Sequence, residues 1–95
     1  MTDISKLDWR GQKVYYWNAR FQGKTAILSG PFLTAPEAEQ TGDYVSPVFL
    51  AQCPEAHAAS FGVMECNAPG VGDGRYNEYL PRHLVGNIAV GMTLN

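Results

Sequence analysis

A cysteine and a histidine lie one predicted helical turn apart near the middle of the chain. Cys53 precedes Pro54 at the expected start of a short helix, where exposed amides and the helix dipole favour a thiolate. His57 follows at the fourth position on the same face, so a nucleophile and a base could be neighbours. No third residue that would orient the base is identifiable, and a free cysteine is commonly buried as a small hydrophobic residue. We therefore expect no enzyme and favour core packing for this pair.

Few residues of the types that bind zinc occur in the sequence. The candidates are Cys53, His57, Cys66 and His83. Cys-x3-His with a distant cysteine lacks the paired Cys-x2-Cys spacing of compact zinc modules. We expect no metal and no other cofactor. A disulfide between the cysteines is geometrically conceivable, but two cysteines fit a reducing compartment better, which predicts a cytoplasmic protein with free thiols.

Alternating glycines at Gly70, Gly72 and Gly74 could arrange backbone amides around an anion, with Arg75 adding a positive charge. The segment lacks the lysine and hydroxyl residue of a Walker loop and the glycine spacing of a dinucleotide-binding turn. Asp73 would also repel a phosphate. We predict a connecting loop over residues 68–75 rather than a nucleotide site.

Aromatic and basic residues alternate near the amino terminus, a mixture that binds single-stranded nucleic acid through stacking and a positive groove. The aromatic residues are Trp9, Tyr15, Tyr16, Trp17 and Phe21, and the basic residues are Arg10, Lys13, Arg20 and Lys24. A net charge of −2 and a pI near 5.5 oppose attraction to phosphates. We expect these aromatic side chains to form core, and we predict no direct binding of nucleic acid.

The segment between Lys24 and Arg75 contains no lysine or arginine. Its acidic residues are Glu37, Glu39, Asp43, Glu55, Glu65 and Asp73. An average segment of this length would hold roughly six basic residues. Buried core would account for part of the deficit. The functional interpretation is a negative surface that attracts a basic protein groove.

The elements that would position these residues begin with an aromatic hairpin. Residues 13–21 alternate as in a strand, and we expect Tyr15, Trp17, Ala19 and Phe21 on the core face. Gln22-Gly23 predicts a tight turn, and residues 25–29 a returning strand that ends or bends at Gly30-Pro31.

Two short helices are predicted within a faint duplication of residues 32–45 and 49–63, each containing Pro-Glu-Ala. Thr34 and Glu37 have the spacing of a capping box, with Pro36 in the first turn. Pro54 would begin the second helix.

Further strands are predicted over residues 44–51, 61–67 and 84–94. Pro47 would place the first of these at an edge or a bulge. Residues 76–83 could form a turn of helix before Pro81, and their state stays open. The expected fold is therefore α+β: one small domain over residues 1–95, with a mainly antiparallel sheet of four to five strands.

The composition limits the classes of protein to which this chain can belong. Hydrophobic residues at 45% argue against disorder, and no continuous apolar run is long enough for a signal or a membrane span. No catalytic motif accompanies the acidic segment. We therefore interpret the protein as an inhibitor or adaptor of the phage or bacterial accessory type, whose negative face binds a basic, nucleic-acid-handling protein. Its expected contact residues are Glu37, Glu39, Asp43, Glu55 and Asp73, with Tyr44, Tyr76 and Tyr79 as anchors.

Two other interpretations stay open. A structural or assembly subunit would use the strand over residues 84–95 to extend a neighbour's sheet, which includes a homo-oligomer. A small Cys/His enzyme or ligand-binding protein would use Cys53, His57 and the glycine loop.

Overall fold

The described residues form an α+β fold, with a three-stranded antiparallel sheet and three helices. The computed structural model describes residues 12–68 and 70–89. In chain order the elements are β1 (Lys13–Phe21), β2 (Lys24–Phe32), α1 (Ala35–Gln40), α2 (Gly42–Gln52), β3 (Ser60–Asn67) and α3 (Arg82–Val85). Single 3-10 turns occur at Pro54–Ala56 and Asn77–Tyr79.

The aromatic hairpin forms as the sequence predicts. Gln22 and Gly23 both have positive φ, 52° and 73°, and this turn matches the right-handed twist of the strands it joins. β2 continues through Gly30 and Pro31 to Phe32, further than expected. The register against β1 shifts on both sides of Trp17. β1 is the central strand, in the order β2-β1-β3.

One face of the sheet packs against α1 and α2 and forms the larger core. Its buried residues include Ala19, Leu28, Val45 and Phe49, and the partly buried Tyr15, Trp17 and Phe21 pack against them. The predicted core face of β1 is confirmed in part, because Ala19 is fully buried whereas Tyr15, Trp17 and Phe21 are only partly buried.

The opposite face of the sheet is buried as well, which the alternation of β1 does not predict. Val14 and Tyr16 are fully buried there and pack with Ala68. Ile27, Met64 and Cys66 contribute partly buried surface to the same cluster. Both faces of β1 are covered, so the strand has no clear solvent side. The alternation in its sequence therefore predicts a strand but does not indicate which face is buried.

α1 begins at the predicted N-cap residue, Thr34, although the Glu37 carboxylate bonds the Thr34 hydroxyl rather than the Thr34 amide that a full capping box would use. The Glu37 amide donates to Thr34 Oγ1 at 3.3 Å, and that hydroxyl donates to the Glu37 carboxylate at 3.0 Å. Pro36 lies in the first turn, where its missing amide costs no helical hydrogen bond.

Residues 44–51 form most of α2, so the predicted strand at this position is wrong. Gly42, Val45 and Phe49 are the buried residues, and their spacing follows a helical period rather than a strand's alternation. Pro47 lies inside the helix. Packing of this apolar side on the sheet outweighs the local cost of the proline.

Three further predictions are corrected. The described sheet has three strands rather than four to five. The duplication is not structural, because Phe32 ends a strand whereas Phe49 lies inside α2, and Pro54 begins only one 3-10 turn.

Within the predicted strand 84–94, residues 84–85 belong to α3 and only Ile88 forms an isolated bridge, to Phe32. Its remainder from residue 90 onward lies outside the described residues.

Candidate functional site

Two of the predicted contact acids share one surface depression. Glu39 and Asp43 line it together with Pro36 and Gln40, and its volume is about 390 Å³. The depression is open to solvent, and its lining contains no basic residue. It therefore presents two carboxylates on the surface where α1 meets α2.

The junction between α1 and α2 is fixed by buried contacts. Thr41 ends α1, and its hydroxyl donates to the Ala38 carbonyl at 2.6 Å. That hydroxyl also lies 2.5 Å from the buried Ser29 Oγ, which ties the junction to β2. Gly42 begins α2 against the Trp17 ring, where a Cβ atom would lie 2.7 Å from Cε2. The positions of Glu39 and Asp43 are consequently set by the core beneath them.

The other acids do not join this depression. Glu37 is engaged with Thr34, and Glu55 is exposed on the turn after α2. Glu65 lies on β3, where Lys13 Nζ is 4.0 Å away and the Tyr15 hydroxyl donates to it at 3.2 Å. Asp73 lines a different pocket beside two basic residues. The acidic segment is thus divided among several surfaces.

The three predicted tyrosine anchors have different environments. Tyr44 and Tyr79 are 43% and 47% exposed, so both are available at the surface. Tyr76 is only 5% exposed; it packs edge-to-face on Phe49, and its hydroxyl donates to Gln52 Oε1 at 2.8 Å. The expectation that Tyr76 anchors a partner is therefore corrected, because its ring is part of the core.

Cys53 does precede a helical segment as predicted, but that segment is only a single 3-10 turn, Pro54–Ala56. Cys53 also terminates α2. His57 Nδ1 lies 2.9 Å from the Pro54 carbonyl, so this nitrogen donates its proton locally. No hydrogen bond within the described residues links the thiol to the imidazole.

Cys66 lies on β3, on the face opposite α1 and α2. Burial and the neighbouring Glu65 carboxylate raise the pKa of its thiol, and Lys13 partly offsets this. Both cysteines are free. Across residues 12–68 and 70–89, no group of three or more His, Cys, Asp or Glu is arranged to hold a metal ion.

Three amides of the glycine loop form hydrogen bonds within the protein. Gly70 donates to Asn67, Val71 to the Tyr16 hydroxyl, and Gly74 to Gly30, at 2.9, 3.1 and 3.0 Å. Amides that are already bonded do not form an open anion cradle. The segment is a connecting loop, as the sequence predicts.

The aromatic residues of β1 do not form an exposed stacking surface. Tyr16 is buried on one face, while Trp17 stacks on Phe61 at 6.4 Å and Phe21 contacts Phe49 on the other. Trp9 and Arg10 of the same sequence cluster lie outside the described residues.

Sequence reasoning missed a pocket at the outer edge of β2. Lys24, Cys53 and Arg75 are among its lining residues, although they are far apart in the chain. No local pattern signals such a site, because it forms only when the chain after β3 returns to β2.

Comparison with known proteins gives no match to a protein-family model, to a curated protein or to a solved structure. No helix in the described part of the chain has the length and apolar character needed to cross a membrane.

Proposed function

We propose that this protein is a non-enzymatic binding module that docks Glu39 and Asp43, together with the exposed Tyr44 that follows Asp43 on α2, on a basic surface of a protein partner. We call these three residues the α1–α2 surface. The observation that carries the proposal is the open depression that both carboxylates line without a basic neighbour. The ion pair found among the described residues, Lys13 with Glu65, lies elsewhere.

The chemistry of this surface suits a cationic protein groove. Two adjacent carboxylates without counter-ions accelerate encounter with a basic surface and orient the complex. The half-exposed ring of Tyr44 is adjacent in sequence to Asp43 and can bury apolar area at low entropic cost. The same carboxylates repel phosphates, which supports a protein partner over nucleic acid itself.

A protein that handles nucleic acid presents a basic groove of this kind. We therefore infer an inhibitor or adaptor that acts on such a partner, as phage and bacterial accessory proteins do.

Free thiols at Cys53 and Cys66 support a cytoplasmic setting. Glu37 and Glu55 lie outside the α1–α2 surface, and their negative charges would add to its attraction for a basic partner. Tyr79 would be a second exposed anchor.

The test is charge reversal of Glu39→Lys together with Asp43→Lys. The matched control, Glu78→Lys with Ala58→Lys and Val85→Lys, makes the same change in net charge at exposed positions outside the α1–α2 surface. Each tagged protein is used for affinity purification from host lysate at low and high salt, followed by mass spectrometry and a Kd measurement. We expect a basic partner whose Kd rises about tenfold or more in the first variant and little in the control.

Equal partner retention by both variants, or binding that is unaffected by salt, would show that the α1–α2 surface is not the contact. Thermal unfolding of both variants checks that folding is unchanged, because exposed substitutions usually alter stability by less than about 0.5 kcal/mol.

A homo-oligomeric assembly is a second candidate, favoured by one observation. β3 is an edge strand, and none of the other described strands pairs with its outer side. An unpaired edge can accept a strand from another copy. Light scattering after size exclusion would give a multiple of the 10.4 kDa chain mass for this candidate and the monomer mass for the first.

A further inference from the structure

A second pocket, separate from the α1–α2 surface, lies at the outer edge of β2. Its volume is about 350 Å³, within the range of about 300 to 1,000 Å³ that small-molecule sites occupy. The floor is apolar and aromatic. Phe21 and Phe49 lie edge-to-face there, with ring centroids 5.7 Å apart, and Ala26 adjoins them.

The pocket is open because the chain after β3 covers only part of the β2 edge. The Arg75 amide donates to the Ile27 carbonyl at 3.0 Å, and residues 74–76 cover the strand from there to Gly30. Residues 24–26 extend the strand beyond this cover. No backbone bond from the described loops reaches them. The edge is therefore accessible where it lines the pocket.

The charged residues of the pocket are Lys24, Arg75 and Asp73. Lys24 and Arg75 bound the long segment without basic residues, and the fold brings these two ends of the segment to the same pocket. Neither forms an ion pair with a described carboxylate. Two cations and one carboxylate leave the pocket with an excess of one positive charge.

We propose that this pocket binds a small organic anion, with a flat apolar body against the partly buried Phe21 and Ala26, above the buried Phe49 ring, and a carboxylate or phosphate group held by Lys24 and Arg75. The guanidinium group binds planar and tetrahedral oxyanions through paired hydrogen bonds, and lysine adds a point charge. Asp73 disfavours polyphosphates, because additional phosphate charges would lie close to its carboxylate. The site is independent of the α1–α2 surface.

Phenyl phosphate and benzoate are the probes, and inorganic phosphate and benzyl alcohol represent the two halves of the ligand. Titration is followed by amide shifts in ¹H–¹⁵N spectra of the full chain. We expect saturable shifts at residues 24–27 and 73–75 with at least one whole probe, and weaker binding of either half. The Kd values of phenyl phosphate and benzoate are compared to show whether a phosphate or a carboxylate is preferred. Equal affinity for inorganic phosphate and phenyl phosphate would overturn the proposal, as would absence of shifts at millimolar concentrations of both whole probes.

Lys24→Gln with Arg75→Gln should raise the Kd of the tighter probe about tenfold or more, since the charge-assisted hydrogen bonds to the oxyanion are lost. Lys13→Gln with Arg82→Gln removes the same charge away from the pocket and is the matched control. Unchanged affinity in the first variant, or an equal loss in both, would contradict the assignment.

Cys53 provides a readout that does not require a variant. It lines the pocket, whereas Cys66 lies on the opposite face of the sheet. The tighter probe should slow alkylation of Cys53 by N-ethylmaleimide and leave Cys66 unaffected, as resolved by peptide mass spectrometry. Equal effects on both thiols, or none on Cys53, would contradict binding in this pocket. This measurement decides the proposal even if the double variant fails to fold.

Discussion

At the scale of single residues, Tyr16 has a structural role outside the main core. Its ring is fully buried on the second face of the sheet. The hydroxyl donates to the Gly72 carbonyl at 2.6 Å and accepts from the Val71 amide at 3.1 Å. One phenol thus attaches the glycine loop to β1. The position of that loop decides which part of the β2 edge stays open.

Tyr16→Phe should lower the free energy of unfolding by about 1 to 3 kcal/mol, because it leaves two backbone groups of the loop without their partner. Urea unfolding at neutral pH measures this loss. Tyr44→Phe removes an exposed hydroxyl and should have little effect. A loss of similar size in both variants would mean that the Tyr16 hydrogen bonds are not the cause.

The stability of the protein should also depend on alkaline pH through Tyr16. Burial raises the pKa of this phenol, although the Val71 amide partly opposes the shift. The neutral phenol is favoured in the folded state, so its contribution is complete below the ordinary tyrosine pKa of about 10 and declines as pH rises above it. Tyr16→Phe should therefore lose less stability than the wild type above about pH 10. A decline of identical slope in both proteins would contradict this assignment.

At the scale of elements, the helical conformation of α2 differs from the conformation that its local sequence favours. Pro47 lies inside this helix and cannot donate the backbone hydrogen bond expected at its position. The helix persists because Val45 and Phe49 are buried on the sheet and Ser46 accepts from Trp17 Nε1 at 2.8 Å. Tertiary contacts therefore compensate for a local defect.

Pro47→Ala should raise the free energy of unfolding by about 1 kcal/mol or more, since proline costs about 3 kcal/mol relative to alanine in a helix interior. Chemical denaturation gives the value, and Pro54→Ala is the control at a turn where proline is compatible with the backbone. Unchanged or lower stability in Pro47→Ala would indicate that residues 44–51 are not helical.

At the scale of the whole molecule, Trp17 joins the two layers of the larger core. Its ring stacks on Phe61 of β3 and lies against Gly42 at the start of α2, and its indole nitrogen reaches Ser46. Trp17→Ala should cost about 3 to 5 kcal/mol, which is a large share of the roughly 5 to 15 kcal/mol that stabilises a typical protein.

Far-ultraviolet circular dichroism and thermal unfolding measure the effect of Trp17→Ala. Val85→Ala, at an exposed position on α3, is the control and should have little effect. A Trp17→Ala variant that keeps its melting temperature but loses partner binding would assign Trp17 to a recognition surface instead of the core.

Several features were predictable because their causes are local. The hairpin depends on alternation in β1 and on Gln22-Gly23, which takes positive φ at the turn. Thr34 and Glu37 define the start of α1 within four residues of sequence. β3 follows from its own alternating pattern. The α+β class was consequently predictable, although the number of strands was not.

What the sequence determined by itself was the set of charges and the local starts and turns of its elements. Only the tertiary structure decided that residues 44–51 are helical, that Tyr76 is buried, and that Glu39 and Asp43 share a depression while Asp73 lies with Lys24 and Arg75. The physical reason is that burial and charge convergence depend on which distant segments meet. A strand such as β1, covered on both faces, carries no sequence pattern that specifies those partners.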